Sequence, residues 1–446
     1  MIRRTILEWQ SLGYSEDRAR IDAIPAHLAD RLVAVARHSS LGGEGGARIL
    51  HHGRDRIRAG GIIGIIAAEG CTLEILPKID GLGPTGDPGP LRRELVHMLS
   101  VALDIEIATG TLTDLDWQRD TILEVLIKLF CTKLFEAVHR GLPQRHIRHE
   151  EDLPTLRGQL DVVRQFTTLT VAPQKLACRF DALSPDIALN RIMKAAVGRL
   201  MHVARSPGNQ RGLRELSLAF ADISDVPIPS LRWDEAIIDR TNGRWGELKR
   251  LAHLLLGERF QTTSHGATHG HALLFEMNVL FEEYIGRMLV RALAGQPVSV
   301  RRQGGGRYCL VELDNLGSDG ALRFRTRPDL ILSRDGQVAL IIDTKWKRLS
   351  SRIDDPKQGI SQSDIYQMMA YSRLYGCPRV MLLYPHHDGL PHDDGVANQH
   401  RIGGGSERLQ IATIRLGQRA TLPARLHAIT REPSQNAIIC EEGGSG

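Results

Sequence analysis

Three absences narrow the field. No apolar run approaches the roughly 18 residues that a membrane-crossing helix needs. Cysteine is sparse: six in 446 residues, dispersed as Cys71, Cys131, Cys178, Cys309, Cys377 and Cys440, with no Cys-x-x-Cys. That spacing argues against a structural zinc site and for reduced thiols in a cytoplasm. No Gly-x-x-x-x-Gly-Lys-Ser/Thr loop occurs, so the backbone cradle for nucleotide phosphates is missing. A nucleotide-driven machine built with this chain is expected to keep its motor on another chain. Nor does one sign of charge dominate. The 57 Lys and Arg against 52 Asp and Glu leave +5, with a pI near 8.9, which is compatible with nucleic acid without demanding it. The start, Met1-Ile2-Arg3-Arg4-Thr5, runs into Glu8 and Gln10 rather than an apolar core, which speaks against a secretion signal.

What is present reads as globular. Hydrophobic content is 42% and charged content 24%, and the length suits two or three domains. Residues 1–90 carry short apolar runs broken by glycine, such as Ile62–Ile66 and Leu73–Leu76, and read as a small β-rich domain. Gly81–Pro90 reads as a linker or long loop. Residues 91–265 are mostly helical in pattern, over Leu91–Leu103, Gln118–Gly141, Ile187–Arg205 and Trp245–Leu256. An interrupted section from Pro143 to Arg179 holds the charged run Arg145–Asp152. Its segments Leu160–Val163 and Leu169–Val171 suggest a hairpin projecting from the helices. The Gly/His/Thr-rich stretch Thr262–His271 reads as a junction. Gly266 and Gly270 oppose a helix there, so His265, His269 and His271 are not taken as a metal site. Residues 266–440 form the third region. The tail Glu441–Gly446 reads as disordered.

The third region carries the chemistry. Asp335-Gly336 stands between Leu330-Ile331-Leu332 and Val338-Ala339-Leu340, a strong hairpin signal. Folding back at that turn brings Asp329, of Arg327-Pro328-Asp329, nearly opposite Asp343, of Asp343-Thr344-Lys345. Side chains alternate along a strand, so Asp343 and Lys345 share a face. Two carboxylates and an ammonium at one hairpin end can hold a divalent cation and orient water beside a phosphate. Mg²⁺ takes hard oxygen ligands, usually one or two carboxylates with waters and phosphate. The bland alternative is a solvated Asp and Lys at an exposed turn. Against it, Asp343 follows five apolar residues, Val338–Ile342, as at the end of a strand buried on both faces.

Two helices flank the hairpin. His271–Ala294 has helical apolar spacing with Gly295 as a stop. Within it Glu283 has Arg287 four residues on, whereas Glu282 has no such partner. Glu282 is either a further ligand or a solvated glutamate. Asp364–Tyr375, stopped by Gly376, places Gln367 and Tyr371 on one face. They either support the site or are a surface Gln and a core Tyr. The strand Arg379–Pro385 follows, giving an α/β core with a central mixed sheet.

The chain resembles the McrC family, the nuclease subunits of McrBC-type modified-cytosine restriction systems. The resemblance lies in Leu273–Asn278 with Leu280–Tyr284, Arg327-Pro328-Asp329, Asp343–Lys347 and Asp364–Tyr371. It extends to Gly64-Ile65-Ile66 with Leu73–Ile79, to Leu156-Arg157-Gly158 and to Asp186–Arg191. Trp346 stands where the family pattern suggests Tyr. The resemblance implies a multidomain α/β chain with a PD-(D/E)xK nuclease core. Asp329, Asp343, Lys345 and Glu282 would be catalytic, and Gln367 and Tyr371 supporting. Mg²⁺ would be held by Asp329, Asp343 and the Thr344 carbonyl. It further implies double-stranded DNA as substrate, a cytoplasmic setting, and a McrB-like AAA+ GTPase hexamer as the partner that binds GTP. The first two regions would dock on that ring and stimulate it. Two other readings remain: a non-catalytic assembly or activator subunit, and a RecB-like repair exonuclease.

Overall fold

A computed structural model describes the chain apart from residues 44–45, 83–86, 108–112, 258–259, 266–267, 314–318, 351–358 and 432–446. Part of the expected linker Gly81–Pro90 and the whole C-terminal tail lie outside the described residues. So do the side chains of His265 and His269.

The N-terminal region is built on a mixed five-stranded sheet. Its first strands are β1 (Ile2–Leu7), β2 (Ile62–Ala68) and β3 (Cys71–Leu76). β2 and β3 are buried at every position, as expected of continuous apolar runs covered on both faces. β3 pairs parallel with β1 and antiparallel with β2. The middle region supplies α1 (Gly89–Leu103) and α2 (Ile122–His139) among its helices, with Thr121 capping α2 by accepting the Glu124 N–H. The helices Ala188–Val203 and Trp245–Leu256 also form close to where the pattern put them.

Two expectations fail. The charged run is itself a strand, β4 (Arg145–Leu153), paired antiparallel along its whole length with β5 (Leu176–Ser184). The hairpin expected between Leu160–Val163 and Leu169–Val171 does not form, because Asp161 caps a short helix over Val162–Thr167. Cross-strand pairs such as Arg179–Glu150 at 3.1 Å hold β4 where hydrophobic patterning has no say.

The second failure concerns the junction. The histidine-rich stretch forms β6 (Phe260–His265) and β7 (Thr268–Glu276), and β7 pairs with β2 to complete the N-terminal sheet in the order β1-β3-β2-β7-β6. The helix α3 therefore spans Met277–Ala292 rather than starting at His271. The run Ala272–Phe275 is buried on both faces, and a short apolar run fits either period. Gly64 makes this pairing possible. Its φ is +130°, and a Cβ there would lie 2.0 Å from the Leu273 carbonyl oxygen.

The third region folds around a six-stranded mixed sheet. In chain order its elements are β8 (Ser299–Arg302), β9 (Leu330–Arg334), β10 (Gln337–Thr344), α4 (Gln362–Tyr375), β11 (Arg379–Pro385), β12 (Gly395–Arg401), β13 (Arg408–Ile414) and α5 (Leu422–Thr430). The strand order is β8-β9-β10-β11-β13-β12. β10, α4 and β11 make one parallel crossover unit. Leu330, Leu340, Ile342 and Met381 face α3, α5 and the large core shared with the rest of the chain. Ile331, Ile341, Val380 and Leu382 face the other way, onto Met368, Tyr371 and Tyr375 of α4.

Candidate active site

The hairpin forms as its sequence requires. Asp335 and Gly336 both adopt positive φ, +51° and +80°, the conformation of a two-residue hairpin turn. The pairing runs out to Leu330 opposite Ile342, so the next residues, Asp329 and Asp343, stand opposite each other at the strand ends. A bulge between Leu332 and Ser333 absorbs the mismatch that the bare turn count leaves. Asp343 shares the α4 face with Ile341, and it lies at the carboxyl end of a strand paired in parallel with β11. Sheets of this kind commonly place their ligands at such ends.

Each acidic group is held. Asp329 Oδ2 accepts from the Thr344 backbone N–H at 2.7 Å and from its hydroxyl at 2.8 Å. Asp343 is 1% exposed. Its Oδ2 lies 2.6 Å from Lys345 Nζ yet has no well-aligned hydrogen-bond donor. Gln367 donates to Tyr371 OH at 2.7 Å and, at a long 3.4 Å, to Asp343 Oδ1, while its Oε1 lies 3.3 Å from Lys345 Nζ. The fold therefore places both Gln367 and Tyr371 beside Asp343 and Lys345. The Gln303 amide donates to Glu283 at 3.1 Å, and burial pushes the neighbouring Glu282 carboxyl above the usual range. Glu283 pairs with Arg302 at 2.8 Å rather than with the expected Arg287, which faces Asp104.

Electrostatics mark the hairpin end as strained in charge. Burial first, then the neighbouring Asp343 and Glu282, push the Asp329 carboxyl up to about 7. Burial also raises Asp343, with Lys345 opposing it. An unfolded aspartate titrates near 3.9. A carboxyl raised in the fold stabilises the protein below its unfolded pKa, and that contribution is lost as pH rises through its folded pKa. Asp329 by itself therefore favours the fold at pH 5 over pH 8, whereas His97 and His271, whose imidazoles burial pushes down to about 4, favour it at pH 8. Differential scanning fluorimetry of metal-free Asp329→Asn should show the gap between melting at pH 5 and at pH 8 moved by about 2–4 °C in favour of pH 8, relative to wild type. An unchanged gap would mean that Asp329 is not the group responsible.

The donor set fits a hard divalent cation. Among the described residues no three His, Cys, Asp or Glu side chains are grouped to hold a metal. Two facing carboxylates, with Asp343 Oδ2 met only by the Lys345 ammonium, match the Mg²⁺ pattern of few protein ligands completed by water and phosphate.

Sequence reasoning missed the residues that brace this end. Trp346 donates from its indole to Glu8 Oε1 at 2.9 Å, its backbone N–H donates to Asn278 Oδ1 at 3.0 Å, and its ring meets Phe281 edge-on. The chain leaving the hairpin is thus tied to the segment after β1. Asp364 was also missed. It sits in the first turn of α4, where an acid is expected from the helix dipole alone.

Fold and site define a multidomain α/β protein whose mixed sheet carries an acidic, lysine-bearing centre at a strand end. A model of the family described as McrBC 5-methylcytosine restriction system component matches residues 57–385, and the chain belongs to that family. A solved half-complex from a tetradecameric assembly of Thermococcus gammatolerans McrB AAA+ hexamers with bound McrC superposes with a TM-score of 0.67. It has 21% identity and covers 96% of this chain and 99% of that one. The cryo-EM structure of the Thermococcus gammatolerans McrBC complex gives a TM-score of 0.50 at 24% identity, covering 67% and 89%. At these identities the likeness is one of fold. No protein of curated function matches. No described helix is long and apolar enough to cross a membrane.

Proposed function

We infer that this chain is the Mg²⁺-dependent endonuclease subunit of a GTP-driven restriction complex that cleaves DNA bearing modified cytosine. It also stimulates a McrB-like AAA+ GTPase ring. The observation that carries the reading is the meeting of Asp329, Asp343 and Lys345 at one hairpin end. Asp329 and Asp343, with the Thr344 carbonyl, would hold the cation, and Glu282 lies near enough to feel the charge of Asp343. When bound, Mg²⁺ lowers the pKa of water and neutralises charge on the phosphate. Thr344 fixes the Asp329 carboxylate through two donors. Lys345, held by Asp343 and Gln367, presents a cation to the scissile phosphate. Gln367 and Tyr371 keep that lysine and Asp343 aligned. The exposed β4–β5 arm, with the N-terminal and helical regions, would meet the ring.

Cleavage of circular methylated plasmid tests this. Cutting is expected only with Mg²⁺, partner and GTP together. Cutting confined to linear DNA would favour an end-dependent exonuclease. No cutting with the partner GTPase still stimulated would leave the activator role alone.

A further inference from the structure

Lys345 faces a conflict that the nuclease reading creates. Its ammonium sits 2.6 Å from Oδ2 of Asp343, the carboxylate that would hold the cation. A divalent cation and an ammonium cannot both sit against one carboxylate oxygen without repelling each other. When the cation arrives, the lysine needs another anion within reach, or it is driven off the phosphate.

α4 provides one. Asp364 Oδ1 lies 3.6 Å from Lys345 Nζ, and its Oδ2 accepts from Lys347 Nζ at 3.1 Å. The carboxylate is 9% exposed, so solvent screens it little. The Ser361 hydroxyl accepts the Asp364 N–H at 3.2 Å and locks the first turn of the helix. Asp364, Gln367 and Tyr371 follow at three- and four-residue steps, so they share the helix face that meets the site. Lys345 can leave Asp343 and keep two α4 acceptors, the Gln367 amide oxygen and the Asp364 carboxylate, with little movement of its stem.

We propose that Asp364 is a positioning residue that takes the Lys345 ammonium from Asp343 when Asp343 binds the divalent cation. The alternative is that Asp364 only caps α4. The proposal rests on the nuclease reading above, and cation binding to the full chain without DNA separates the cases. Wild type should bind Mn²⁺ in isothermal titration calorimetry, and Asp343→Ala should lose that binding. Asp364→Asn, which keeps the size and the cap, should weaken Mn²⁺ roughly tenfold, the usual cost of losing a residue that orients a ligand. Asp364→Glu should restore most of it. The decisive arm is Lys345→Met. With no ammonium on Asp343, Asp364→Asn should have no further effect, because the coupling runs through the lysine. In cleavage assays Asp364→Asn should lower kcat and leave the KM for DNA unchanged.

Equal weakening by Asp364→Asn in the Lys345→Met background would overturn the proposal and leave Asp364 as a cap or a direct ligand. Absence of Mn²⁺ binding by wild type would overturn the cation reading itself, and this inference with it.

Discussion

Asp343→Ala is expected to lower plasmid cleavage about a thousandfold or more, since a bound metal contributes several kcal/mol to phosphoryl-group chemistry. Stimulation of the partner GTPase should persist, because Asp343 lies at a strand end facing α4, remote in sequence from the β4–β5 arm. Thermal stability should hold or rise. Asp343 is buried with a raised carboxyl, and it also raises that of Asp329. Removing it relieves that repulsion, the usual exchange of stability for activity at a charged centre. Parallel assays of cleavage, GTP hydrolysis and melting decide the matter. Retained cleavage would remove the hairpin end from the chemistry. Joint loss of cleavage and GTPase stimulation, with melting unchanged, would mean that the two activities share this site.

The largest effect on stability should come from Glu74→Ala. Glu74 is fully buried on β3 and Arg92 is 2% exposed on α1. Glu74 accepts from Arg92 Nη2 at 2.6 Å, from the Ile122 N–H at 2.8 Å and from the Thr5 hydroxyl at 3.1 Å. Arg92 in turn donates to the carbonyls of Trp117 and Gln118. One ion pair thus joins β1, β3, α1 and the start of α2. Removing the carboxylate leaves a guanidinium buried without its counter-ion, at a cost of about 3–5 kcal/mol. Replacing both partners together, as in Glu74→Leu with Arg92→Met, should cost much less. Urea denaturation of the single and double variants reads this directly. A single variant as stable as wild type would show that water reaches Arg92.

Some of this was legible in the sequence and some was not. The hairpin was, because Asp335-Gly336 fixes the turn and the apolar run Val338–Ile342 fixes the strand. α4 was, with Gly376 in the left-handed conformation that its C-terminal glycine predicts. Spacing alone put Gln367 and Tyr371 on one helix face but left a surface Gln with a core Tyr as an alternative; the fold brings them into contact. β4 was hidden because ion pairs rather than apolar alternation hold it. β7 was hidden because its strand partner lies far away in sequence, and because Leu273 and Leu274 continue the helical period of α3 by coincidence. Asp364 was hidden because an acid in the first turn of a helix is ordinary, and its partners Lys345 and Lys347 lie on another element. Only the fold sets it beside Lys345.

The position of β7 in the N-terminal sheet bears on how the protein is made. β2 is synthesised early, but its neighbour β7 emerges about 200 residues later, a delay of roughly 10–40 s at ordinary ribosomal rates. Throughout that interval the edge of a fully apolar strand is open to whatever strand meets it first. Production of the chain should therefore be sensitive to chaperone supply and to pauses between the codons for Ala68 and Thr268, more than to anything encoded after α3.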